Sequence, residues 1–266
     1  MDVDVRSGHP FSIISAKEMR ELETTLGGDR ENFPETVWSS LLGTEGPVTP
    51  AREAALNQLV TLYWRPVYKY VRTSGGATIE DAKDLTQEFF SYLLEGGVLS
   101  KYDRDKGRFR TFLKAVLGNF LSTTRRDATR LKRGGGRFVA SLDVQEVETS
   151  AFLAERQKYT PDQIFDRQWT QEILSESLAE MRRQLAAENR AVSCRVYEAY
   201  HEIAPSDGTA PTYASIGRTL SLSEQQVKDH LAYARARLEK IIRERLARRV
   251  ASDRELSEEI NDLLFG

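Results

Sequence analysis

Four carboxylates, Glu80, Asp81, Asp84 and Glu88, follow one another at spacings of one, three and four residues. Such spacing gathers side chains on one side of a helix. Clustered carboxylate oxygens are the ligand type that hard divalent cations take. Here, however, they crowd the start of a single helical pattern, where the helix dipole already favours negative charge. A solvated helix start or an electrostatic docking face is therefore the reading. The three histidines, His9, His201 and His230, stand far apart and beside no partner at metal-ligand spacing. The stretch KRGGGR (Lys132 to Arg137) lacks the spacing of a phosphate-binding P-loop. No catalytic set, metal site or cofactor site is expected, and the chain reads as a non-enzyme.

Positive charge is concentrated elsewhere. Lys101 to Arg137 holds 12 Lys and Arg against three Asp, whereas Glu80 to Glu95 holds five acids against one Lys. Arg104, Lys106, Arg108 and Arg110 lead into a long apolar helix pattern, and Arg125, Arg126, Arg130, Lys132 and Arg133 leave it. Tyr102, Phe109, Phe112 and Phe120 are interleaved. Arginines with aromatic rings are what single-stranded nucleic acid takes, through phosphate neutralisation and base stacking. The spacing of Phe109, Phe112 and Phe120 assigns most of those rings to the core instead. The arginines at both ends are not explained by packing.

A third stretch, SLSEQQVKDHLAYAR (Ser221 to Arg235), begins with complete helix-start signals. Ser223 with Gln226 can form a capping box, and Leu222 with Val227 is spaced as a hydrophobic staple. Val227, Leu231, Ala234, Leu238 and Ile241 make one apolar stripe, opposite Gln225, Asp229 and Ala232. Upstream, TYASIGRTL reads as a short helix capped by Thr212, with Ile216 and Leu220 inward and Gly217 permitting close packing. Two short helices joined by a tight turn form a helix-turn-helix, whose second helix can enter the DNA major groove. An ordinary surface helix is the alternative. Ser221 stands where glycine would turn left-handed most cheaply.

The elements that carry these stretches are helical throughout, and sustained apolar alternation is absent. The expected fold is all-α: two helical domains joined by a flexible linker, the second with the helix-turn-helix. Expected boundaries are an N-terminal extension over 1–50, a first domain over 51–133 and a linker over 134–162. A second domain over 163–249 and a tail over 250–266 follow. In the first domain, helix one spans about Ala51 to Arg72, with Pro66 placed to kink or divide it. Helix two starts at Thr78 as N-cap, with Leu85, Phe89, Tyr92 and Leu93 inward. Helix three runs from about Gly107 to Leu131. The tail is acidic and amphipathic, its stripe being Leu256, Ile260, Leu263, Leu264 and Phe265.

The 266 residues are 40% hydrophobic and 29% charged, with a net charge of −2, so no global basic excess announces nucleic acid. One cysteine, Cys194, excludes an internal disulfide framework. No apolar run approaches the about 20 residues that span a bilayer. The N-terminus lacks the pattern of a signal peptide. A cytoplasmic location is expected.

The order of EDAKDLTQEFF, YDRDKGRFRTFLKAVLGNFLSTTRR and TYASIGRTLSLSEQQVKDHLAYARARLEKI resembles bacterial RNA polymerase sigma factors of the extracytoplasmic-function group. The resemblance covers most of the chain. FPETVW, KRGGG and FDRQW are further similar to a subgroup with a long linker and a C-terminal extension. It implies a polymerase-core docking face at Asp81, Asp84, Gln87, Glu88 and Phe89. It implies minus-ten promoter recognition by Arg108, Arg110 and Asn119, with Leu121, Ser122, Thr123 and Thr124 lining a loop that takes a flipped base. Arg125 and Arg126 would hold phosphates there. It implies minus-thirty-five recognition by Gln225, Gln226, Lys228, Asp229, His230, Tyr233 and Arg235. This sequence departs from the family at His230 and Tyr233, where arginines are common, at Asp229, where serine is common, and at Phe112, where tryptophan is. The implied partners are RNA polymerase core, promoter DNA as duplex and as melted strand, and a regulatory protein such as an anti-sigma factor. A free-standing helix-turn-helix regulator of duplex DNA is the alternative. A helix-turn-helix that binds protein is a third.

Overall fold

The computed structural model describes residues 50–265, apart from 96, 104, 128–146, 202–210 and 251. The N-terminal extension and the KRGGGR stretch lie outside the described residues. Among those described there are nine helices and no strand, so the fold is all-α. They are α1 Pro50–Thr73, α2 Ile79–Glu95, α3 Phe109–Asp127, α4 Ser150–Glu155, α5 Pro161–Ala187, α6 Ala191–His201, α7 Tyr213–Leu220, α8 Glu224–Ala247 and α9 Asp253–Phe265. A 3-10 turn, Leu99–Lys101, precedes α3. No helix among the described residues is long and apolar enough to cross a membrane.

The described residues fall into two compact units. One holds 50–173 and 247–255; the other holds 174–246 and 256–265. The division falls inside α5, not in the stretch expected as linker. Within residues 147–162, expected as part of that linker, Val147 and Phe152 are buried. Thr149 caps α4 by accepting from the Phe152 amide, and Phe152 is buried.

In the N-terminal unit, α1 runs unbroken through Pro66. Its buried face of Leu59, Val60, Tyr63, Val67 and Tyr68 meets an aromatic core. Tyr63 lies edge-on to Phe109 at 5.5 Å and stacks on Phe165 at 6.3 Å. Phe109 and Phe120 are core, as their spacing required. Thr78 caps α2 by accepting from the Asp81 amide, while Asp81 accepts the Thr78 hydroxyl at 2.7 Å. The buried stripe of α2 differs from the expected one. It runs through Ala82, Thr86, Phe89, Phe90 and Leu93, while Tyr92 is 44% exposed. Small Ala82 and Thr86 allow close approach, and the Thr86 hydroxyl is satisfied by the Ala82 carbonyl at 2.7 Å. The stripe therefore turns away from the larger Leu85 and Tyr92.

Glu148 fastens the 147–156 segment onto α1. Its carboxylate accepts from Arg72 Nε at 2.6 Å, Arg72 Nη2 at 2.8 Å and the Tyr68 hydroxyl at 2.7 Å. Arg156 donates in turn to the Arg72 carbonyl. The Arg72 hydrogen bonds hold the Glu148 carboxyl below its ordinary range, against the opposing effect of burial. Burial, then Glu148, pushes the Tyr68 hydroxyl up.

In the C-terminal unit, Val227, Leu231, Ala234, Leu238, Ile241, Ile242 and Leu246 of α8 are buried. Ile216 of α7, Val196 and Tyr197 of α6, and Ile260 and Leu263 of α9 are buried too. Burial pushes the Tyr197 hydroxyl up to about 12. Cys194 is buried, its thiol beside Glu198, and burial raises its pKa.

Candidate nucleic-acid and docking faces

The turn between α7 and α8 is built from local devices. Thr212 and Ser215 form a reciprocal capping box at the start of α7. At its end Ser221 takes φ 57° and ψ 44°, the left-handed conformation. The Ser221 and Leu222 amides both donate to the Gly217 carbonyl, the latter at 2.8 Å, in a Schellman-type closure. A Cβ on Gly217 would stand 2.6 Å from the Leu222 carbonyl oxygen, so glycine is what lets this turn close. Ser223 then opens α8. Its amide donates to Gln226 Oε1 at 2.8 Å, and its hydroxyl accepts the Gln226 amide at 3.2 Å.

This turn leaves the first two turns of α8 in the open. Gln225, Gln226, Lys228 and Asp229 are exposed. Gln225 Nε2 donates to Asp229 Oδ1 at 2.9 Å, which aligns one amide and one carboxylate on the outer face. Gln226 Oε1 is committed to the cap, and the Lys228 ammonium lies 5.6 Å from the Tyr213 ring centre. The other residues expected to reach DNA are turned to neighbours. His230 Nδ1 is 2.9 Å from Ser193 Oγ of α6, with the hydrogen's position dependent on the ring tautomer. The Tyr233 hydroxyl donates to Glu188 and accepts from Arg237, and Arg190 lies over its ring at 4.1 Å. Arg235 lies over the Tyr200 ring at 4.9 Å. These three side chains brace α8, so the expected seven-residue set does not stand on one open face.

α3 presents its residues in the reverse order. Arg108 precedes it and is half-buried. Arg110 is only 7% exposed; it pairs with Asp166 of α5 at 3.1 Å and lies under the Trp169 ring at 4.6 Å. Asn119, Ser122 and Thr123 are exposed and Thr124 is half-buried. Leu121 is buried and belongs to the core rather than to a lining. The resemblance implied a loop here, but the helix is continuous through Gly118 and Asn119. The hydroxyls of Ser122 and Thr123 donate to the carbonyls of Gly118 and Asn119 at 2.9 and 3.0 Å, which suits an unbroken helix. Arg125 and Arg126 fall within α3, with their side chains outside the described residues.

On α2, Asp81, Asp84 and Glu88 are exposed along one side and Gln87 is half-buried. Phe89 is fully buried, edge-on to Phe90 and Phe120, and so supports that face from beneath instead of forming part of it. Among the described residues no group of three His, Cys, Asp or Glu is arranged to hold a metal ion. Asp166, Glu148 and Glu255 were not marked as site residues by the sequence. FDRQW carried the only signal, and only for Asp166. Comparison with family models, with curated proteins and with solved structures finds no match to this chain.

Proposed function

We propose that the chain is a promoter-specificity subunit of bacterial RNA polymerase, of the sigma-factor class its sequence resembles. The observation that carries this reading is the open start of α8 beyond a closed turn, with an apolar stripe anchoring the helix from behind. A helix held in this way can lay its first turns in a major groove. In this reading, base-edge contacts at the minus-thirty-five element fall to Gln225, Lys228 and Asp229. Asp229 can accept from cytosine N4. His230, Tyr233 and Arg235 set the helix's attitude. The exposed residues Asn119, Ser122 and Thr123 of α3 meet the melted minus-ten strand, and the acidic side of α2 docks on core polymerase.

The test is copurification of the tagged chain with bacterial core polymerase, followed by run-off transcription on genomic fragments. Stoichiometric binding with new transcripts is the expected result. Duplex DNA binding without core binding would assign the chain instead to the free-standing helix-turn-helix regulators.

A further inference from the structure

We propose that the chain carries its own acidic latch over the start of α3, and that this latch must open before the start of α3 can engage DNA. The inference rests on the sigma-factor reading, which gives α3 its DNA-facing role.

Two segments far along the chain supply the latch, and the parts of them that form it, 161–173 and 253–255, belong to the N-terminal unit. The first is α5. Asp166 pairs with Arg110 at 3.1 Å and with Lys114 at 2.7 Å, and Asp162 stands 3.8 Å from Lys114. Trp169 covers the Arg110 guanidinium. The second is the beginning of α9. Glu255 is 4% exposed, and its carboxylate accepts the Phe109 amide at 2.7 Å, with the Tyr102 hydroxyl at 3.3 Å. Phe109 is the first residue of α3, so that amide has no acceptor within the helix.

A helix start and the cations beside it are what a phosphate would use. In this structure carboxylates use them instead. Arg110, a cation expected from sequence to meet DNA, is buried beneath a ring and paired. The three carboxylates thus stand in for an external polyanion, and an added strand must displace them or bind elsewhere on α3. Such competition is electrostatic, so it weakens as salt screens both partners.

The experiment compares full-length wild type with Glu255→Gln and Asp166→Asn. Each substitution removes one charge and keeps one oxygen, able to accept one of the two native hydrogen bonds, from Phe109 or Tyr102 at Glu255 and from Arg110 or Lys114 at Asp166. Circular dichroism confirms folding. Binding to a fluorescein-labelled single-stranded DNA is followed by anisotropy, and core polymerase binding is measured on the same samples. Glu255→Gln is expected to bind the strand about tenfold more tightly at low salt, with the gain shrinking as salt rises. Asp166→Asn is expected to gain in the same direction. A folded Glu255→Gln and Asp166→Asn that bind DNA no better than a wild type which still binds core would overturn the latch and leave the sigma reading standing. No binding to core or DNA by any of the three would overturn that reading and the latch with it.

Discussion

The starts of α3 and α8 are fixed by opposite means. α8 begins on devices drawn from its own neighbourhood: the Ser221 turn, the Gly217 carbonyl and the Ser223–Gln226 box. Its first polar residues therefore owe nothing to distant partners and stay exposed. α3 begins on groups from far along the chain, with Glu255 on its first amide and Asp166 on Arg110. Its start is buried, while Asn119, Ser122 and Thr123 further along it are exposed. The two helices thus differ in whether their first polar residues reach solvent. That difference is decided by where the satisfying partners come from.

Substitutions can break this contrast. Phe109→Ala removes a fully buried ring at the head of α3, where it packs on Tyr63 and Tyr102. Denaturant unfolding should show a loss of about 4 kcal/mol. A loss as small as that of a surface change would mean the start of α3 is not anchored as described.

Glu148→Gln tests another long-range charge of this unit. Leaving Arg72 without its charged partner should cost about 3 kcal/mol at neutral pH. The pH dependence has a definite sign. The Glu148 pKa is depressed in the folded chain, so its stabilisation is complete above the ordinary value of 4.5 and is lost as pH falls through the lower folded value. The variant should lack that part of the acid limb. Parallel acid limbs in wild type and variant would refute the assignment.

The local devices of α8 should respond to backbone changes instead. Gly217→Ala places a methyl group against a backbone oxygen and should destabilise by about 2 kcal/mol. Ser221→Gly relieves the left-handed cost and should stabilise by about 1 kcal/mol. The same unfolding curves read both, and equal signs would contradict the turn geometry. Smallest of all, Gln225→Ala on the open face should change stability by less than about 0.5 kcal/mol.

The same contrast explains what the sequence disclosed. Thr78 with Asp81, Thr212, and Ser223 with Gln226 are recognisable within four residues, because a cap bonds to its own helix. The apolar stripes of α3 and α8 were equally legible from their period. The stripe of α2 departs from the one its large residues suggest, because close approach at Ala82 and Thr86 outweighs the size of Leu85 and Tyr92. Glu255 and Phe109 are 146 positions apart, and Glu148 and Arg72 are 76 apart. No local pattern links such partners. For the same reason no local pattern discloses that Arg110, His230 and Arg235 meet neighbouring helices, or that Tyr233 meets Glu188 and Arg190 between α5 and α6. The turn at Ser221 was legible in position, and its left-handed serine was the departure to be explained.

The central claim is that the acidic side of α2 docks this chain on core polymerase. It is tested most directly by a native gel shift of core with wild type and with the double charge reversal Asp84→Lys, Glu88→Lys. Both positions are exposed, so the fold should survive, as circular dichroism would verify. The expected result is a stoichiometric complex with wild type and none with the variant. A wild type that forms no complex, or a folded variant that binds as well as wild type, would contradict the account.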